Sequence, residues 1–269
     1  MPRSDGKKIK GMPALDLLIP YVMNRRTESV NFAQIDIDIT NLKTYLDNLR
    51  DNGQKVGIMD AMIAAFAFLM QKRPEINRFV VNKRLYQRNH ICVAFAMLKR
   101  TDGAPTETVV KVYIEPGDDL ITISKKIRST IKENEKPTTK NTMDVFIDKL
   151  ASMPFLPGLG VGLVKLLDKF GLLPRKIIEL SPFHSSMFIS NLASLRMDHI
   201  FHHLYEFGTT SLFVTLGKPV RETMPGITQK KQTITLGVSM DERICIGAIW
   251  AQAFYDFRQY IENPEKYFS

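Results

Sequence analysis

The sequence predicts an α/β protein, a mixed sheet flanked by helices in two layers. Three observations point there. Strand-like and helix-like segments are interleaved along the chain rather than grouped. Ser29 to Thr40 places Ile35, Ile37 and Ile39 on one face and Asp36 and Asp38 on the other, the period of a half-buried strand. Asp60 to Lys72 is apolar on every side (A-M-I-A-A-F-A-F-L-M), which asks for a buried core helix too short to span a bilayer.

The remaining elements follow in order. Leu15 to Arg26 reads as a first helix that Pro20 kinks or ends early. After the strand, Thr40 or Asn41 caps a helix to about Arg50. Alternation makes Asp36 and Asp38 the solvated face of that strand, in preference to an acid/base or metal-ligating pair. Pro74 to Asn77 closes the core helix. Phe79–Val81 and Arg84–Tyr86 then form short strands around an Asn-Lys turn. His90–Leu98 and Thr106–Ile114 are strands, and Gly117-Asp118-Asp119 opens a helix to about Asn134. Lys136 to Thr142 is a polar connection.

Met143 to Leu180 differs in character, broken by three prolines and several glycines, with Lys165, Asp168 and Lys169 inside it. Val161, Val164, Leu167 and Phe170 recur at helical spacing. A helix packed on its own domain or on a sister subunit is the plainer account, and residues 159–172 could also contact a membrane surface. Strands return at Met187–Ser190, Ser211–Leu216 and Gln232–Met240. A last helix, about Ile244 to Glu262, carries Trp250, Phe254, Phe257 and Ile261 and ends at Asn263-Pro264.

The chain has 269 residues and a net charge of +9, which favours anionic partners such as phosphate-bearing ligands or a membrane surface. The basic residues are dispersed and no nucleic-acid module is recognisable, so nucleic acid is set aside as a partner. Cys92 and Cys245 lie far apart in apolar surroundings and read as buried reduced thiols. With no signal peptide evident, the expectation is a cytoplasmic protein, with peripheral membrane contact left open.

One family's motifs occur here in its own order. They are the basic opening K-K-I-K-G-M, the strand I-D-I-D-I-T, the helix ending P-E-I-N, and the strand N-H-I-C-V-A-F-A. F-I-S-N-L, S-L-F-V-T-L-G-K and D-E-R-I-C-I-G follow, before a helix ending E-N-P. The chain resembles the catalytic domain of 2-oxoacid dehydrogenase acyltransferases, and through them the chloramphenicol acetyltransferase fold. The resemblance covers nearly all of residues 1–269 as a single domain, with about 143–180 looking like a helical insertion. It starts within the first dozen residues, so a chain without lipoyl or subunit-binding domains is expected. It implies a trimer with active sites between subunits, and an acyl group passed between coenzyme A and a thiol or alcohol. Coenzyme A or acyl-CoA is then a substrate, with no tightly bound cofactor or metal expected.

The family's motif is D-H-R-x-x-D-G, with the histidine as general base. Here Glu242 stands in the histidine position and Ile246 in the second aspartate's, while Asp241, Arg243 and Gly247 match. A glutamate's reference pKa of about 4.3 is roughly two units below histidine's, worth about 3 kcal/mol of proton-accepting strength. Pairing with Arg243 would weaken it further. Other bases are available among His184, His199, His202 and His203, with His202 and His203 favoured by the string H-H-L-Y-E-F-G; the plainer account is that these histidines pack or hydrogen-bond structurally at a subunit interface. On a helix, His199, His202 and His203 would share a face, which opens a metal reading that lacks a fourth ligand. Ser190 matches the family serine that donates to the tetrahedral intermediate, with Asn191 as a support or turn residue. Cys245, between two isoleucines, reads as a small apolar side chain and not a nucleophile. The competing reading is a catalytically inactive trimeric scaffold that keeps the fold.

Overall fold

A computed structural model describes residues 3–99, 106–135, 157–222 and 231–268. The expected polar connection 136–142 and the first part of the expected insertion, 143–156, lie outside the described residues. The strands are β1 (Gly6–Lys8), β2 (Val30–Asp38), β3 (Arg78–Val81), β4 (Arg84–Arg88), β5 (Ile91–Lys99) and β6 (Thr106–Ile114), followed by β7 (Met187–Asn191), β8 (Leu212–Leu216), β9 (Val220–Glu222) and β10 (Lys231–Asp241). The helices are α1 (Ala14–Val22), α2 (Thr40–Asp51), α3 (Ile58–Lys72), α4 (Leu120–Asn134), α5 (Pro157–Phe170), α6 (Arg175–Leu180), α7 (Gly247–Glu262) and α8 (Pro264–Tyr267).

A seven-stranded mixed sheet runs β2-β10-β8-β7-β5-β6, with β9 beside β10, and a small sheet runs β1-β4-β3. Strands β5, β7 and β8 are mutually parallel; the other pairings are antiparallel. One face of the large sheet carries Ile35, Ile37, Val93, Ile189, Val214 and Leu236, packed against α2, α3, α4 and α7 in one core. Asp36 is exposed on the opposite face and accepts from Thr235 Oγ1 at 2.6 Å, as alternation predicts. Helix α3 is buried along its length, and its Phe66 meets Phe257 of α7 with ring centroids 4.2 Å apart. Its first turn is closed by Asp60, which accepts from Gly57 N–H at 2.9 Å and from Ser124 Oγ at 2.7 Å. Helix α4 begins where Asp119 accepts from Thr122 N–H at 2.7 Å.

Several expectations are corrected. Helix α1 runs through Pro20, which is buried, and stops at Val22. The last helix starts at Gly247, because Glu242–Ile244 forms a separate 3-10 turn capped by Asp241. Of the spaced apolar residues on α5, Val164 and Leu167 turn toward the protein while Val161 and Phe170 are exposed. Asp168 anchors α5: it meets the Arg3 guanidinium at 2.8 Å and lies 3.2 Å from His184 Nε2. Arg3 also forks onto Asp5 through bonds of 2.9 and 3.0 Å, so the helix is clamped to the start of the chain by buried charges. Among the described residues no helix is long and apolar enough to cross a membrane.

The outer face of the sheet is crossed by the segment 197–205, which is neither helix nor strand. Ile200 bonds Thr215 Oγ1 through both its N–H (3.2 Å) and its carbonyl (2.6 Å). Gly237 lies directly beneath, where a Cβ would come within 2.2 Å of the Ile200 carbonyl oxygen. The close approach of two backbones is what requires glycine there.

Candidate functional site

Strand β10 ends at Asp241, which is fully buried. Arg243 forks onto it, Nε to Oδ1 and Nη2 to Oδ2, both at 2.8 Å. Ser29 Oγ donates to Oδ1 at 3.0 Å, and Arg26 Nε lies 3.5 Å from Oδ2. Burial alone would raise the Asp241 pKa, but the two guanidiniums overcome it and hold the carboxyl below its usual range. The backbone is fixed too, with Asp241 N–H on the Ser211 carbonyl at 3.0 Å and Glu242 N–H on that of Ser29 at 2.9 Å.

This brace turns Glu242 into a cleft of about 440 Å³ between α1 and the start of α7. Its carboxylate accepts from Asn31 Nδ2, and Asp16, Arg78, Cys245, Ile246 and Trp250 also line the cleft. The feared pairing of Arg243 with Glu242 is absent from the described bonds, because Arg243 is committed to Asp241. Ile246 caps α7 without any side-chain bond and is 55% exposed, so it supplies no polar anchor at this turn. A Cβ at Gly247 would meet nothing within 4 Å, so neither space nor backbone demands that glycine within one chain. Cys245 is half-buried, and burial pushes its thiol up to about 12, which fits an inert side chain. Cys92 is buried.

Ser190 lies elsewhere. It is opposite Thr215 on β8, which is opposite Gly237 on β10, five residues before Glu242. At about 3.4 Å per residue and about 4.8 Å per strand, the two positions are roughly 20 Å apart. Ser190 shares the outer face with the crossing segment. There the His202 ring stacks on Phe213 at 3.9 Å and on His203 at 4.4 Å, and Phe213 in turn stacks on Phe188. Burial lowers the His202 pKa. The proposed helical face of His199, His202 and His203 is therefore corrected: the segment is not helical, because at Ile200 its backbone bonds the sheet instead of its own turns. Among the described residues no cluster fit to hold a metal occurs. Asn191 ends β7, and its carbonyl accepts from Ser194 Oγ at 2.7 Å, a turn role. His184 is buried, with Nδ1 2.8 Å from Ser181 Oγ, and is a structural partner of Asp168.

Sequence reasoning missed Arg26, Ser29 and Asn31. A signal was present: they surround the start of β2, which pairs with the end of β10 so that Asn31 faces Met240 and Val30 faces Asp241.

With this geometry in view, comparison with known proteins gives a consistent result for the fold. No protein-family model and no curated protein matches the sequence. Among solved structures, the chain is similar to the cubic core of a pyruvate dehydrogenase multienzyme complex (13% identity, 97% of this chain and 94% of that one, TM-score 0.57). It is also similar to the truncated catalytic core of a 2-oxoacid dehydrogenase complex from Thermoplasma acidophilum (14% identity, 96% and 99%, TM-score 0.56). A third is chloramphenicol acetyltransferase (9% identity, 95% and 99%, TM-score 0.58). The chain therefore has the acyltransferase fold of these proteins, as the ordered motifs implied.

Proposed function

We propose that this chain, a single domain with an inserted α5–α6 segment, forms a homotrimer that binds an acyl-CoA thioester between copies. The acyl group passes to a thiol or hydroxyl acceptor. The observation that carries this reading is the Asp241–Arg243 brace, which survives intact and presents the Glu242 carboxylate in an open cleft. Asn31 holds one carboxylate oxygen, Oε2, and orients the group for proton abstraction. The acceptor loses its proton to Glu242 and attacks the thioester carbonyl; collapse of the tetrahedral intermediate expels the coenzyme A thiolate. Ser190 of a neighbouring copy donates to the oxyanion, and His202 and His203 come with that same face as alternative bases.

A catalytically inactive trimeric scaffold is the second reading, favoured by Ile246, which leaves the turn without its polar anchor. The two separate by thermal stability with and without coenzyme A and acetyl-CoA, followed by thiol release. Stabilisation by thioester, with release lost in Glu242→Gln, supports the transfer reading. Release surviving in both Glu242→Gln and His202→Ala/His203→Ala removes these site assignments, and no thioester binding leaves the scaffold.

A further inference from the structure

A second cavity, of about 390 Å³, opens between the β3–β4 turn, α5 and the loop at Glu206–Gly208. Five cations line it: Arg26, Lys83, Lys165, Lys169 and Arg243. Its two carboxylates are already engaged. Asp168 is taken by Arg3 and His184, and Glu206 accepts from Thr27 N–H at 2.8 Å. Arg26 and Arg243 share the single carboxylate of Asp241. Lys83, Lys165 and Lys169 have no carboxylate partner among the described residues.

The charge is also placed, not scattered. Lys165 and Lys169 stand one turn apart on α5, where like charges repel unless an anion lies between them. Lys83 follows Asn82 in the hairpin turn, both in the left-handed region at φ 59° and 48°, and its ammonium lines the other wall, 4.9 Å from the centre of the Tyr21 ring. Arg26 is 3% exposed, with Nε turned to Asp241 and its other nitrogens donating to the Tyr205 and Gly208 carbonyls, so it adds fixed positive charge to the lining. Beside the cavity, α1 exposes Leu17 and Tyr21, next to the lining residue Pro20, and α5 exposes Leu166, three residues before the lining residue Lys169. An anionic group with an apolar tail fits both features.

We propose that this cavity binds a phosphate ester, with Lys83, Lys165 and Lys169 neutralising the phosphate and the apolar residues of α1 and α5 flanking the rest. Only Arg243 is common to this cavity and the Glu242 cleft, so the inference stands whether or not the chain transfers acyl groups. Two sources share the chemistry: a soluble ester such as coenzyme A, or the headgroup of an anionic lipid.

Binding at low ionic strength to coenzyme A, and to phosphatidylcholine vesicles with and without phosphatidylglycerol, tests this. The variants are Lys165→Gln/Lys169→Gln and, as a charge-matched control on α4, Lys125→Gln/Lys132→Gln. The cavity variant is expected to lose about tenfold in affinity, the equivalent of one charge-assisted hydrogen bond, while the control stays within about twofold. Loss confined to coenzyme A identifies a soluble ester; loss confined to anionic vesicles identifies a lipid headgroup. Wild-type protein that binds neither probe, or equal loss in both variants, overturns the proposal.

Discussion

Ser190 lies on β7 and Glu242 directly follows the end of β10 in the same sheet, and the register places the two roughly 20 Å apart. A hydroxyl and a base that must act on one carbonyl group cannot do so across that distance within one chain. If both serve one reaction, a second copy brings them together, and the incompleteness of the single chain becomes an argument for assembly.

That argument has a direct test. Ser190→Ala and Glu242→Gln are each expected to abolish most thiol release from acetyl-CoA. Co-expressed in equal amounts and assembled at random, they should recover about a quarter of wild-type activity, because one interface in four then carries both native residues. Recovery absent from a verified mixed oligomer would show that the two residues do not share a site. A monomeric mass in sedimentation would end the shared-site reading altogether.

Asp241→Asn removes the one carboxylate that two buried guanidiniums share. Breaking a buried pair leaves an uncompensated charge, at a cost of roughly 3–5 kcal/mol. Denaturant unfolding of wild type and variant measures it. A change below about 1 kcal/mol would mean that Arg26 and Arg243 find other partners, and that the turn does not depend on this brace.

The sheet and its core were legible in sequence for a physical reason. Ile35, Ile37 and Asp36 obey a two-residue period, and α3 is apolar all round; both signals are local. The Asp241, Arg243 and Gly247 frame was legible because it is contiguous. Illegible were the bonds that join distant segments: Arg3 to Asp168 across 165 positions, and Ser29 to Asp241 across 212. No periodicity encodes such pairings. The crossing segment 197–205 was hidden for a related reason, since its conformation comes from Thr215 and Gly237 on other strands and not from its own propensity.

Histidine burial gives the fold a pH dependence. His90 is lowered to about 4 by burial, with Arg88 and Lys111 adding to the effect; His184 is lowered by burial as well. A histidine held neutral in the folded chain takes up a proton in the unfolded chain below about pH 6.5. Its stabilising contribution is therefore complete above that pH and declines as the pH falls toward about 4. Melting temperature should drop between pH 6.5 and 5, above the range where the lowered carboxylates Asp5, Asp168 and Asp241 titrate. His90→Asn should flatten part of that slope and leave the His184 share; an unchanged slope would place the titration elsewhere.

The position of His202 depends on one glycine. At Gly237 a methyl group would lie 2.2 Å from the Ile200 carbonyl oxygen and 2.8 Å from Thr215 Oγ1, contacts that no packed Cβ makes. Two routes of relief exist, bending β10 away or lifting the crossing segment. Strand β10 is held by β2 on one side and β8 on the other, whereas the segment at Ile200 is tied to the sheet by Thr215. The segment therefore moves, and Gly237→Ala should cost about 1–3 kcal/mol as overpacking. It should also lift His202 off the Phe213 ring. Because burial is what lowers the His202 pKa, its NMR titration midpoint should rise toward the ordinary histidine value in the variant. Lost stability with an unshifted His202 titration would show that β10 yields instead, and that the histidine pair is held by its own stacking.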